Sequence, residues 1–148
     1  MESRLGTYFA KKSRGRIRWR VIDADGRVLG RLAARASRVL TGKASPEWTP
    51  HSDHRDGVII VNAEKIRLTG RKLDEKLYRH YSGYPGGLKE TTARRYLETK
   101  PQKMVWEAIR GMLPKTRLGD RLAQRLKVYA GPTHPHQAQA PEPISLAR

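Results

Sequence analysis

Leu40-Thr41-Gly42-Lys43 ends like a phosphate-binding loop, where glycine admits a phosphate to the backbone and lysine adds charge. A nucleotide-hydrolysing loop also needs glycine five residues before Gly42 and Ser or Thr after Lys43. Ser37 and Ala44 hold those places, so nucleotide hydrolysis by this route is not expected. Gly26 and Gly30 lack the third glycine and the spacing of a dinucleotide fingerprint. His51 and His54 sit in a proline-flanked loop, and His134-Pro135-His136 lies near the C-terminus. Imidazoles can hold zinc, but nothing in these spacings fixes a ligand geometry, so no metal is expected. Asp23, Asp25, Asp53, Asp56 and Glu64 would make a nuclease only if they converged on divalent ions. Turn and cap roles account for them more simply. No Gly-x-Ser-x-Gly elbow is present, and the absence of cysteine excludes a thiol nucleophile. The residues thus point to binding rather than catalysis, with no cofactor and no small-molecule substrate.

What they would bind follows from charge. The 148 residues hold 31 Lys plus Arg against 14 Asp plus Glu, a net charge of +17. Such a chain repels itself unless a polyanion neutralises it, and nucleic acid is the expected partner. No apolar stretch approaches the ~18 residues of a membrane-spanning helix, and no apolar signal region opens the chain. Residues 1–20 carry seven basic side chains and one acidic; residues 71–127 carry fifteen and six. Between them the chain is nearly balanced, as in an ordinary folded domain. A basic arm, including Arg14 and Arg16, together with a basic domain face suits a protein that grips a phosphate backbone.

Two local patterns sharpen this reading. Arg31, Arg35 and Arg38 recur at i, i+4 and i+7, one face of a helix, with no acidic partner in that helix. Ser82-Gly83-Tyr84-Pro85-Gly86-Gly87-Leu88 forms a glycine loop followed by Lys89, with Arg71, Lys72, Lys76, Arg79 and His80 just upstream. Glycines let a backbone approach phosphate closely. Tyr78, Tyr81 and Tyr84 flank this loop and either stack on bases or anchor it.

These residues must be placed by a fold. Residues 1–17 show no period and read as an arm. Arg18 to Asp23 reads as a strand, Asp25-Gly26 as a turn, and Leu29 to Leu40 as a helix with Leu29, Leu32, Ala33, Ala36 and Leu40 inward. Gly42 is expected to cap that helix. Val58-Ile59-Ile60-Val61, β-branched without alternation, suits a strand covered on both faces of a parallel sheet. Asn62 to Leu68 suggests a turn and a short element, and Lys76 to Tyr81 a strand. Helices are expected over Thr91 to Thr99 and Pro101 to Met112, the latter burying Val105, Ala108, Ile109 and Met112. A short helix over Arg121 to Leu126 and a strand over Lys127 to Ala130 follow. Trp19 and Trp106 are expected in the core. Pro132, Pro135, Pro141 and Pro143 argue against a helix or strand in the tail, 132–148. The order argues for one α/β domain over 18–131.

In sequence order, Trp19-Arg20-Val21-Ile22-Asp23-Ala24, Leu29-Gly30-Arg31-Leu32-Ala33, Leu40-Thr41-Gly42-Lys43, Val61-Asn62-Ala63-Glu64-Lys65-Ile66 and Leu68-Thr69-Gly70-Arg71-Lys72 form a distinctive series. It continues through the glycine loop, Gly111-Met112-Leu113-Pro114-Lys115, Leu118-Gly119, Leu126-Lys127-Val128-Tyr129-Ala130-Gly131, His134-Pro135-His136 and Ala138-Gln139. The series resembles the bacterial type of the ribosomal large-subunit protein thirteen family over roughly residues 18–141. The resemblance implies a three-layer α/β/α domain on a short, mostly parallel sheet of about four strands; the charge and proline patterns add an extended basic N-terminal arm and an extended C-terminal tail. It implies a structural, non-catalytic role on the cytoplasmic ribosome. The implied partners are large-subunit ribosomal RNA of the 23S type and neighbouring large-subunit proteins, with binding early in assembly. By this resemblance Arg31, Lys43, Lys65, Arg71, Lys72, Lys89, Lys115, His134 and His136 are expected RNA contacts. The residue patterns above add Arg14, Arg16, Arg35, Arg38, Lys76 and His80. The family usually has Gly-Asp and an aromatic before the second strand. Arg55-Asp56-Gly57 stands there, so an altered turn and an added Arg55 contact are expected. Two rival readings are a metal-dependent RNA-processing enzyme and an RNA-binding regulator acting off the ribosome.

Overall fold

The computed structural model describes residues 17–144. Its elements run β1 (Arg18–Asp23), α1 (Leu29–Leu40), β2 (Asp56–Val61), α2 (Lys72–Glu75), β3 (Leu77–Tyr81) and β4 (Leu88–Thr92). They continue with α3 (Ala93–Thr99), α4 (Pro101–Met112), α5 (Arg117–Gln124), β5 (Leu126–Val128) and β6 (Glu142–Pro143). The main sheet has the order β5-β2-β1-β6, and every pair is parallel. Parallel neighbours need a crossover, and α1 supplies the one between β1 and β2. A separate antiparallel hairpin joins β3 to β4.

The core follows the hydrophobic periods. All six residues of β2 are buried, as an unalternating β-branched run in a covered parallel sheet requires. Ile22, Val58 and Ile60 pack with Leu29, Leu32, Ala33, Ala36 and Leu40 of α1 and with Met104, Val105 and Ile109 of α4. Ile59, on the opposite face, is fully buried too. The sheet is therefore covered on both sides, consistent with three layers. Each large side chain so buried contributes about 1.5–3 kcal/mol relative to exposure.

Chain punctuation follows local chemistry. The Asp25 N–H donates to Asp23 Oδ1 at 3.0 Å, and Gly26 adopts φ 65° to complete the turn into α1. At the other end of α1, the Gly42 N–H donates to the Val39 carbonyl and the Lys43 N–H to the Arg38 carbonyl, both at 3.0 Å. This pairing, with Gly42 at φ 75°, is a Schellman cap. Thr116 opens α5, accepting from the Gly119 N–H at 3.3 Å, so that helix starts four residues before the expected Arg121.

Several expectations are corrected. Leu88–Thr92 is a strand, not loop running into helix, so α3 starts at Ala93 rather than Thr91. Leu88-Lys89-Glu90-Thr91-Thr92 contains a single apolar residue, and its pairing with β3 supplies what its own pattern lacks. The buried stripe of α4 includes Met104, while Met112 is 48% exposed. Trp19 is only half-buried, and Trp106 packs on the edge of the core. The tail contains a strand despite its prolines: β6 pairs with β1, and the Ile144 N–H donates to the Val21 carbonyl at 2.8 Å. Pro143 is tolerated because β6 is an edge strand.

Candidate nucleic-acid interface

The helical stripe is real: Arg31, Arg35 and Arg38 all lie exposed on α1 opposite its buried face. Among the described residues none of the three meets a carboxylate within ion-pair distance. The stripe ends at the glycine cap, where the Lys43 ammonium lies 5.2 Å from the ring centre of Trp48.

A second basic group gathers around α2 and the hairpin. Arg71 and Lys72 begin α2, and Lys72 Nζ donates to Thr69 Oγ1 at 3.1 Å. Lys76 lies over the Tyr78 ring at 5.0 Å. His80 and Lys89 are register partners across the hairpin, so their side chains share one face. Arg79, one residue away, is instead paired with Glu90 at 2.6 Å. Ser82 and Gly87 close the loop with an N–H to carbonyl bond of 3.2 Å, and Gly83 and Gly86 take φ 91° and 71°.

The three tyrosines divide. Tyr78 stacks on Tyr96 with ring centres 4.4 Å apart, fixing the hairpin against the helices. Burial raises the pKa of Tyr78, and burial with nearby Glu107 pushes Tyr96 up to about 12. Tyr81 and Tyr84 are exposed, Tyr84 by 75%. These two present free aromatic surface at the loop.

The remaining predicted contacts are scattered. Lys65 is exposed but lies 3.6 Å from Asp25. Lys115 is exposed in the turn before α5. His136 stacks parallel to Trp19 at 5.7 Å, and its Nε2 shares a 2.7 Å hydrogen bond with the Tyr129 hydroxyl. Its N–H donates to His134 Nδ1 at 3.3 Å. His136 therefore holds the tail against the domain, and His134 braces His136 within the tail. Arg14 and Arg16 lie outside the described residues. Arg55 adopts φ 57°, the left-handed region that favours glycine, and its N–H donates to Asp53 Oδ1 at 3.0 Å.

Asp23 and Asp56 separate to the two ends of the sheet. Asp23 closes β1 and pairs in register with Val61, whereas Asp56 opens β2 opposite Arg18. Five strand steps of about 3.3 Å part those ends by about 16 Å. Asp23 accepts from Asn62 Nδ2 at 2.8 Å, the main cause of its lowered pKa. Asp53 is held by Arg125, whose hydrogen bonds likewise lower its pKa. Asp56, 3% exposed, lies 3.4 Å from Arg18 and 3.9 Å from Arg20. Among the described residues no three His, Asp or Glu side chains form a metal-ligating group.

Sequence reasoning gave Trp48 no role. Its place in a loop between Pro46 and Pro50, after a basic helix, was the available signal. Trp48 is 37% exposed and lines a groove of about 400 Å³ with Arg38 and Lys43.

Comparison with known proteins places this arrangement. The family model for Ribosomal protein L13 matches residues 17–135. Large ribosomal subunit protein uL13 of Thermotoga maritima is 58% identical over 129 residues, 87% of each chain. The protein of the same name from Thermoanaerobacter pseudethanolicus is 52% identical over 142 residues, 96% of this chain and 99% of the relative. That from Syntrophus aciditrophicus is 53% identical over 142 residues, 96% of this chain and all of the relative. With its motifs in order, its parallel sheet and these matches along most of its length, the chain belongs to the ribosomal protein L13 family.

Proposed function

We propose that this chain is a structural constituent of the large ribosomal subunit, binding 23S-type ribosomal RNA and supporting early subunit assembly. The observation that carries this is family membership, joined to a net charge of +17 on the whole chain and to a described domain most of whose Lys and Arg side chains are exposed. Neighbouring large-subunit proteins are its other partners, and the ribosome in the cytoplasm is its place.

The mechanism is electrostatic and shape-based. Arg31, Arg35 and Arg38 form one phosphate-contacting stripe; Arg71, Lys72, Lys76, His80 and Lys89 form another. Lys43, Lys65 and Lys115 contribute at turns between them. Each neutralised phosphate releases counterions, so affinity falls with salt. The glycine loop lets backbone N–H groups approach RNA whose helices are read mostly by shape. His134 and His136 set the tail's path, and Arg14 and Arg16 extend the grip along the arm of residues 1–17. The chain acts as a binding protein, not an enzyme: Asp23 and Asp56 stand at opposite ends of the paired strands β1 and β2, and Asn62 and Arg125 engage Asp23 and Asp53.

The test is sedimentation of host extract through sucrose at low and high salt, probing for this chain. Comigration with the large subunit that survives the salt wash is expected. Absence from that peak, or release at modest salt, would favour an off-ribosome regulator and overturn the proposal.

A further inference from the structure

We infer that the groove beside Trp48 receives a single unstacked base of the bound RNA. This rests on the RNA-binding reading above and gives it a defined point of contact. The groove, about 400 Å³, lies where the end of α1 meets the loop before α5. Its floor is apolar and rigid: Leu113 and Leu122 are buried core residues, and Leu118 packs against them. Trp48 forms an aromatic wall. Size and lining fall in the range of sites that hold small planar ligands, and a purine fits within that volume.

The rim selects the occupant. Arg38 and Lys43 line the groove, and no Asp or Glu does. Arg38 is also the last member of the exposed stripe on α1, so a strand tracking Arg31 and Arg35 reaches the groove without leaving positive charge. Lys43 lines the groove with its ammonium 5.2 Å from the Trp48 ring centre, a cation available to the phosphate of a base inserted beside that ring. Ser37, Thr41 and Ser52 add hydroxyls to the lining. The Ser37 and Thr41 hydroxyls donate to backbone carbonyls at 2.9 and 2.8 Å, leaving their oxygens free to accept from a base amine. In the same loop, the Thr49 hydroxyl is buried with no hydrogen-bond partner among the described residues. Sequence-specific RNA recognition uses bases splayed from loops and bulges and stacked on aromatic rings. An apolar groove with a purely cationic rim, continuous with a phosphate-contacting stripe, is built for that and not for an uncharged protein side chain.

The experiment uses the full chain and two RNA probes: a duplex of 14 base pairs, and the same duplex with one bulged 2-aminopurine. The bulged probe is expected to bind about tenfold more tightly, since stacking of one base on an aromatic ring is of that order. Its fluorescence should be quenched on binding. Trp48→Ala should bring the bulged probe down to the affinity of the plain duplex, while Trp48→Phe keeps most of the preference. Trp48 is exposed in a loop, so both variants should unfold thermally near the parent. Equal preference in the parent and Trp48→Ala, or none in either, overturns the groove assignment while leaving RNA binding intact. Binding of neither probe overturns the RNA-binding reading itself. Trp48-dependent binding of an acidic leucine-containing peptide, without bulge preference, assigns the groove to a protein and overturns the inference.

Discussion

Arg125 grips Asp53 across 72 positions of sequence: Nη1 donates to Oδ1 at 2.6 Å, and Nη2 donates to Oδ2. Both side chains are 17% exposed. The pair ties the loop entering β2 to the residue before β5, the same two strands that lie side by side in the sheet. Such a two-pronged bond fixes orientation as well as distance.

The pair sets how stability responds to acid. Arg125 holds the Asp53 carboxyl below its usual 3.8, and Asn62 does the same for Asp23. A depressed folded pKa gives stabilisation that is full above the unfolded value and is lost as pH falls through the folded one. Stability should therefore drop as pH falls below about 4. Asp53→Asn leaves a mostly buried guanidinium without its charge partner, a loss of roughly 3 kcal/mol at neutral pH. Urea unfolding across pH checks this. The variant should be weaker at pH 7, and its deficit should shrink as pH falls below about 4; a constant difference at all pH would refute the assignment.

Gly57 and Trp19 form a second such lock. They are register partners in β2 and β1, and a Cβ on Gly57 would meet the indole at 2.7 Å. The indole in turn carries His136 and so the tail. Gly57→Ala should cost about 1–3 kcal/mol, in the range of overpacked sites. Amide exchange should also quicken in residues 134–144. An unchanged melting temperature with unchanged tail exchange would remove the lock.

At Gly42 two constraints coincide. Its φ of 75° is costly for any residue with a Cβ, and that Cβ would lie 2.6 Å from the His54 ring. The conformational part alone is about 1–2 kcal/mol. Gly42→Ala should exceed that, and adding His54→Gly, which removes the Cβ at 2.8 Å as well as the ring, should recover only the steric share. Urea midpoints of the three proteins separate the two. Full recovery in the double variant would show that the backbone conformation costs nothing.

Much of this fold was legible because its core elements carry strong periods. The β-branched run of β2 and the five inward residues of α1 each specify their element. The hairpin strand Leu88–Thr92 was not legible, because pairing with β3 rather than its own pattern makes it a strand. Trp19 read as core because a large aromatic in a strand usually is. Its actual half-buried place depends on the absence of a side chain at Gly57 and on a ring supplied from position 136. The basic stripe on α1 could be read from spacing alone. The Trp48 groove could not, since its lining comes from α1, the 48–52 loop and the 112–122 region, which only the fold brings together.

The stripe on α1 makes the last prediction quantitative. Arg31, Arg35 and Arg38 have no ion-pair partner among the described residues, so their removal leaves no buried charge behind and the helix should stay intact. Replacing all three with Gln, a good helix former, tests their charge alone. Each phosphate contact contributes about 1 to the slope of log affinity against log salt. The triple variant should therefore bind large-subunit ribosomal RNA with a slope lower by about 3. Its loss of affinity should be greatest at low salt. Lys103→Gln serves as the comparison, since Lys103 is already paired with Glu107 at 3.8 Å on α4. It should leave the slope unchanged. Filter binding at several salt concentrations gives both slopes, and an unchanged slope in the triple variant would remove α1 from the interface.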